Sequence, residues 1–386
     1  MDDYRSFEDG EVAGWAEVAL TQAFDMPVSL SRLERLSKDD RRNRVLRAQA
    51  LIGGNVRSVI LKATRVTGYS AGAPDAFAAS GLVKEWVARD LLKHSPSHEA
   101  SSLLAGDRAN GLIVFNDFGA GLSSLVRSLR EGTAAEAEAG LAAYAQAMAR
   151  LHAATIGCRQ WHSHALAAAF PHAAAPGLFA VDWLERPMPE LAGQALPTDE
   201  FEMLRAHLAD PGPWLALVHG DGCPDNVLLD EDGARLIDFE FSAPGHMLLD
   251  AIYWRLGFPS CWCAGMVPEA VIGRIEALYR QELASVFPLV ADEAAFTREV
   301  TTLMIARTLF SLSWMLHETL VADKVWGTAT RRNRILWYLK ATIRACEHAD
   351  MFPRLTGVLA AWLKHLRQAW IEVEPLAYYP AFENGT

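Results

Sequence analysis

Residues 217–240, LVHGDGCPDNVLLDEDGARLIDFE, carry three oxygen-bearing side chains, Asp221, Asn226 and Asp238, at the edges of two short apolar runs. A chain that must bury both runs and still present those three groups has few folds open to it. Val227-Leu228-Leu229 and Arg235-Leu236-Ile237 read as strands joined through a turn at Glu231-Asp232-Gly233. The loop ahead of them, with Gly220, Gly222 and Pro224, is no helix, but it aims Asp221 and Asn226 into one space. The returning strand brings Asp238 back beside Asn226. A surface turn accounts for one such residue, not for three.

The chemistry of the trio divides in two. Asn226 and Asp238 offer one neutral and one charged oxygen, a suitable set for Mg²⁺, which takes hard oxygen ligands and keeps room for water and substrate phosphates. Asp221 is left over, close to the metal but outside the ligand pair, and accepts the proton of an attacking hydroxyl. Kinase phosphoryl transfer uses the same division: a loop Asp on the nucleophile, an Asn five residues later on metal, and a later Asp on metal again.

The first 120 residues hold most of the strand signals. Residues 28–37 and 44–51 alternate, Gly53-Gly54-Asn55 reads as a tight hairpin turn, and 57–64 return as a strand. Helical spacing over 77–93 puts Phe77, Leu82, Trp86 and Leu91/Leu92 on one face, and 111–119 is a short apolar strand ending in polar residues and Gly. After Gly119 the texture is helical: an Ala-rich segment with Leu141, Tyr144, Met148 and Leu151 on one face, then 298–320, 333–348 and 355–370.

The pattern His219-Gly-Asp221-x4-Asn226, followed by Ile237-Asp238-Phe239-Glu240, resembles the aminoglycoside phosphotransferase and choline kinase family, which shares the protein-kinase-like fold. The resemblance runs from about residue 28 to 256 and is strongest over 217–250. It implies an α+β, two-lobed chain: an N-lobe over 1–118 built from a small antiparallel sheet and one helix, and a larger, mainly helical C-lobe over 119–386. It implies ATP, or GTP, with Mg²⁺, and a small molecule bearing the accepting hydroxyl. Asp221 is then the catalytic residue, and Asn226 and Asp238 the metal ligands. Lys62, on the third strand, holds the α/β-phosphates, and Glu85, on the following helix, pairs with it. LIVFNDFGAG occupies the hinge, where backbone groups from Phe115 to Phe118, Phe115 and Asp117 among them, face the purine edge. His152 and His219 are structural, and Asp250 anchors the catalytic-loop backbone. Two departures stand out. The loop SKDDRRN has no glycine cover for the phosphates, and Asp238-Phe239-Glu240 runs straight into FSAPGHMLLD with no activation segment, which favours a small-molecule kinase over a protein kinase.

A formal net charge of −11 excludes a broad basic face for nucleic-acid phosphates and tolerates a cationic small substrate. The five cysteines are an odd, scattered set, which reads as reduced thiols and not as a disulfide framework. The acidic N-terminus has no apolar core of a signal peptide, and no run reaches the roughly 18 apolar residues of a membrane span, so the expectation is a cytoplasmic protein without a membrane partner. Tyr253, Trp254, Trp262, Trp314, Trp326 and Trp337 read as helical core before they read as a cage for a quaternary ammonium, and Arg331-Arg332-Asn333-Arg334 as a solvated helix face. Two rivals remain: a catalytically silent, nucleotide-binding relative, and a metal hydrolase drawing on His162, His164 and His172.

Overall fold

The computed structural model of the chain describes residues 4–70, 77–93, 100–173, 177–188 and 190–383. In chain order its main elements are α1 (Asp9–Phe24), β1 (Val28–Arg35), β2 (Asn43–Ile52), β3 (Asn55–Thr64), α2 (Phe77–Leu92), β4 (Leu103–Asp107) and β5 (Leu112–Asn116), then β6 (Ser123–Ser124), α3 (Leu125–Glu131), α4 (Ala134–Thr155), α5 (Arg159–Ala169) and α6 (Thr198–Ala209). They continue with β7 (Leu215–Val218), β8 (Val227–Asp230), β9 (Gly233–Leu236), β10 (Ala243–His246), α7 (Leu248–Ala251), α8 (Glu269–Ala284), α9 (Glu293–Val321), α10 (Arg331–Ala349) and α11 (Pro353–Ala369). The chain divides into two compact units. One comprises Met1–Leu122, Cys158–Pro176 and Arg235–Ala243, the other Ser123–Gly157, Gly177–Ala234 and Pro244–Thr386.

The first unit is built on an antiparallel sheet in the order β1-β2-β3-β5-β4. Gly53 and Gly54, at φ of 55° and 83°, make the turn between β2 and β3, and Ile52 pairs with Asn55 directly beyond it. Both positions need the left-handed backbone that glycine adopts without a Cβ penalty. Alternation then sorts the side chains. Leu46, Ala48, Ala50, Val59, Leu61 and Ala63 face α1 and pack with Val12, Ala16 and Leu20. On β3, Ile60 and Lys62 fall on the opposite face, where Leu82, Ile113 and Phe115 form a second cluster beside Trp86. Each fully buried aliphatic side chain contributes ~1.5–3 kcal/mol, so both faces of the sheet are covered, and Lys62 is carried into the interior by its register. The sequence expectation of a helix over 77–93 is met by α2; the side chain of Phe77 lies outside the described residues. α5 belongs to this unit, with Leu166 and Phe170 against Val83 and Val87 of α2.

The second unit is mainly helical. α4 starts at Thr133, which accepts from the Glu136 N–H while the Glu136 carboxylate accepts from the Thr133 N–H, the reciprocal cap of a helix start. Its Leu141, Tyr144, Met148 and Leu151 are buried, as their spacing predicts. The apolar centre of α9 is buried almost all round. β6 pairs antiparallel with β8, and β7 and β10 form a two-stranded sheet. Among the described residues, no helix is long and apolar enough to cross a membrane.

Candidate active site

The first unit holds a buried chain of charge. Lys62 Nζ lies 2.5 Å from Glu85 Oε2 and 2.5 Å from Asp238 Oδ1, with Glu240 Oε2 at 3.6 Å. Glu85 is one turn before Arg89 on α2, so their side chains meet: Oε1 accepts from Arg89 Nε at 2.9 Å and Nη2 at 2.6 Å. Arg89 also donates to the Ser101 carbonyl at 2.9 Å and to its hydroxyl, and its guanidinium lies over the Phe115 ring at 3.9 Å. Lys62, Glu85 and Arg89 are all buried. Burial alone would raise the Glu85 carboxyl, but the charges of Lys62 and Arg89 outweigh it and hold its pKa down at about 2. Burial likewise works against the Lys62 ammonium, and Asp238 with Glu85 overcomes it, so the Lys62 pKa is raised. Asp238 occupies the left-handed region at φ 65°, a conformation that costs a non-glycine residue energy and that Asp tolerates better than most. Arg42 and Asn43 both reach the Glu240 carboxylate.

At the expected hinge, Phe115 sits in β5, opposite Ile60 and Leu103. The Asp117 N–H donates to the Ser58 carbonyl at 3.3 Å, and its carboxylate accepts from Arg47 Nε at 2.7 Å and Ser58 Oγ at 2.6 Å. These bonds hold the Asp117 pKa low against its burial.

The second unit holds the loop with Asp221 and Asn226, and its backbone is tied from below. Asp250 is buried; its carboxylate accepts from the His219 N–H at 2.7 Å and the Gly220 N–H at 3.0 Å. His152 Nε2 completes the set at 3.1 Å, while His152 Nδ1 faces the Tyr279 hydroxyl at 2.8 Å. An acceptor-only carboxylate on one side places the imidazole proton on Nε2, so Nδ1 accepts from Tyr279. His219 Nδ1 accepts from the Asp221 N–H at 3.4 Å, so His152, His219 and Asp250 hold the loop, as expected. Tyr144 and Tyr253 donate to the carbonyls of Gly222 and Gly220 at 3.0 and 3.1 Å. A Cβ at Gly222 would stand 2.5 Å from the Tyr144 oxygen, so the loop has no room for a side chain there. Asn226 Nδ2 donates to both the carbonyl and the Oδ2 of Asp221, each at 3.0 Å. With its nitrogen so committed, Asn226 keeps Oδ1 for another partner, and an amide oxygen suits a hard cation.

Cysteine pairing departs from the sequence expectation. Cys223 and Cys261 form a disulfide, with Cα atoms 5.5 Å apart; Cys158, Cys263 and Cys346 are free and buried. The odd count hid one genuine pair, because the partner lies 38 residues away on a segment with no spacing signal. That bond belongs to a small lattice of contacts. Ser260 Oγ is 3.2 Å from Asp221 Oδ1, Cys261 is bonded to Cys223, and Trp262 Nε1 donates to Asp225 Oδ2 at 2.8 Å. Three consecutive residues thus fasten alternate residues of the Asp221 loop.

The rival metal set is not assembled. Among the described residues the one group of three His, Cys, Asp or Glu side chains with ligand atoms within 4.8 Å of one another is His207, His246 and Glu299, not His162, His164 and His172. In it, the Leu248 N–H donates to His246 Nδ1 at 3.3 Å, which leaves the proton on Nε2, facing Glu299 Oε2 at 3.0 Å. A metal on Nε2 would need that proton on the other nitrogen; His207 Nε2, 2.7 Å from Glu299 Oε2, is buried without a hydrogen-bond partner. The aromatic set is core at Tyr253 and Trp254, both buried. The reading of residues 331–334 as a solvated face fails at Arg334, which is completely buried because α10 turns it against Trp326 at 4.4 Å.

Residues 86–283 match the model of a family described as "Phosphotransferase enzyme family". No curated protein matches the chain at a significant level. Among solved structures, the chain is similar to a choline/ethanolamine kinase family protein from Mesorhizobium loti (19% identity, 92% of this chain and 99% of that one, TM-score 0.43). It is similar also to a thermostable mutant of aminoglycoside phosphotransferase APH(4)-Ia (16%, 87% and 100%, TM-score 0.44). A third is choline kinase from Cryptosporidium parvum Iowa II (11%, 86% and 93%, TM-score 0.50), and the likeness to it is one of fold, the protein-kinase-like one.

Proposed function

The chain belongs to the phosphotransferase enzyme family, and on that premise we propose that it transfers the γ-phosphate of ATP, or of GTP, to a hydroxyl of a small molecule through the residues its sequence singles out. Asp221 orients the attacking hydroxyl and takes its proton. Lys62 holds the α/β-phosphates, and Glu85 keeps its ammonium in place. The backbone around Phe115 and Asp117 meets the purine. Asn226 and Asp238 are the Mg²⁺ ligands; when bound, the ion neutralises phosphate charge and so lowers the barrier to transfer. The protein's own part is positioning: it holds Asp221 against the nucleophile and Lys62 against the nucleotide. A cytoplasmic setting supplies the nucleotide, and the Cys223–Cys261 bond is the feature such a setting would put under reducing pressure.

The observation that carries the reading is the Lys62 ammonium held between Glu85 and Asp238. A buried Lys clamped by a helix carboxylate and by the Asp of the Ile237-Asp238-Phe239 turn is what a phosphate-holding Lys requires, and an inert core gains little from it. The test is Asp221→Asn. We expect nucleotide to bind as in the parent and transfer from γ-labelled ATP to fall by about 10²–10⁴. Undiminished transfer would remove Asp221 from the reaction. Nucleotide binding indifferent to Mg²⁺, with no transfer by the parent chain, would make this a silent relative.

A further inference from the structure

Arg307, on α9, is only 4% exposed. Its guanidinium is surrounded by the rings of Trp183, Tyr253 and Phe310, with centroids at 5.1, 5.7 and 5.3 Å. Its Nε has no hydrogen-bond partner, and among the described residues it forms no salt bridge. Aromatic faces attract the charge but offer no acceptor to the N–H donors at the edge of the guanidinium, and Nε is the donor left buried without one. A desolvated cation in that state is costly unless an anion joins it.

A second cation shares the condition. Arg334 is completely buried, donates from Nη2 to the Trp326 carbonyl at 2.7 Å, and leaves Nε and Nη1 without partners. Asp225, whose Oδ1 is also unpartnered, forms no salt bridge with either. Both arginines act on the Tyr338 phenol, whose pKa burial raises and which their charges, with a hydrogen bond to Arg334, pull back. Tyr338 donates to the Pro259 carbonyl at 2.9 Å, and the next residue is Ser260, 3.2 Å from Asp221 Oδ1. On the other side, the Tyr253 ring faces Arg307 while its oxygen lies 3.1 Å from Ser260 Oγ. Two buried cations without a carboxylate partner therefore converge, through Tyr338 and Tyr253, on the short segment that braces Asp221. In a chain of net charge −11, cations left without a carboxylate inside are not explained by bulk composition.

Resting on the kinase reading, we infer that Arg307, assisted by Arg334, is the anion-recognising end of the acceptor site, and that the alcohol phosphorylated here carries a carboxylate or a phosphate group. A guanidinium fork matches either group with two parallel N–H···O bonds. The aromatic walls exclude the water that would otherwise compete.

The experiment compares acceptors that differ in one acidic group, using the full chain with Mg²⁺ and ATP: glycerate and glycerol 3-phosphate against glycerol, glucuronate against glucose, and homoserine against its amide. We expect kcat/KM for at least one anionic member to exceed that of its neutral partner by about thirtyfold or more. Arg307→Met should erase that difference and Arg307→Lys keep part of it. The carboxylate and phosphate arms separate the two sources of the anion. Preference for the neutral members, or for choline or kanamycin as cationic controls, overturns the inference, as does a difference that survives Arg307→Met. A second readout needs no turnover. With Mg²⁺-ADP present and ionic strength matched by NaCl, glycerate, glucuronate or glycerol 3-phosphate should raise the Tm of the parent saturably and not that of Arg307→Met; no rise in the parent with any of the three overturns the inference. Transfer to no acceptor, with the anion-dependent rise intact, counts against the kinase reading and for the anion site.

Discussion

Arg89 and Arg307 are both buried arginines laid against aromatic rings, one in each unit, and they differ in what meets their edges. Arg89 gives its donors to Glu85 and Ser101 while its face lies on Phe115. Arg307 has three rings around its face and no acceptor for Nε. The first is a closed account: every charge in Lys62–Glu85–Arg89 has a counter-charge, and the group fixes the geometry of the ammonium at its end. The second is open, and an open buried charge is tolerated where something outside the chain completes it. Rings around a cation thus say little by themselves; the state of its donors separates a structural arginine from a binding one.

Substitutions can break that comparison. Arg89→Met should be the most damaging, at about 3–5 kcal/mol in urea unfolding, because it leaves Glu85 buried with half its neutralising charge. Cys261→Ser should follow at about 3–4 kcal/mol, from the 38-residue loop that the disulfide closes. Dithiothreitol should reproduce that loss in the parent and add nothing in the variant. Acid titration comes next. Glu85 and Glu299 both sit at about 2, below their ordinary value of 4.5: burial opposes the shift in each, and the cations around Glu85 and the histidines bonded to Glu299 outweigh it. Depressed carboxyls stabilise the fold fully above about pH 4.5, and that contribution is lost as pH falls through about 2. Denaturant midpoints should fall across that window, and Glu299→Gln should make the fall shallower. Smallest is Arg307→Met, which should change stability by less than about 1 kcal/mol or increase it, since an apolar side chain suits the ring pocket better than an unpaired charge. A loss as large as that of Arg89→Met would make Arg307 structural and remove the contrast.

Much of the sheet was legible because its determinants are local. Alternation and a Gly-Gly turn predict strands over 44–51 and 57–64, and the structure extends them to Asn43–Ile52 and Asn55–Thr64. Parity alone then puts Lys62 on the face away from α1. β4 was not legible: LLAGD is five residues long and contains Gly106, which stands so close to Trp86 that a Cβ would clash with the indole. α1 was missed for a different reason. Its Asp9–Phe24 stretch is rich in alanine and acidic residues, and its apolar face is defined only by the sheet it covers. The Asp250 anchor was legible through the family resemblance, whereas Ser260 and Trp262, which touch the same loop, carried no motif.

Sequence by itself determined the order of the chemistry: Lys62 on a strand, Glu85 on the helix after it, Asp221 and Asn226 five apart on a glycine-bearing loop, and Asp238 after the next strand. Those relations depend on spacing of a few residues and on backbone preferences that each residue carries with it. Only the tertiary structure decided which distant groups meet: Cys261 with Cys223, Ser260 with Asp221, and Arg307 with three rings and no carboxylate. The physical reason is that a charge or a thiol has the same local signature whether it is paired, exposed or buried alone. Its partner, or its lack of one, is a property of packing between segments far apart in the chain.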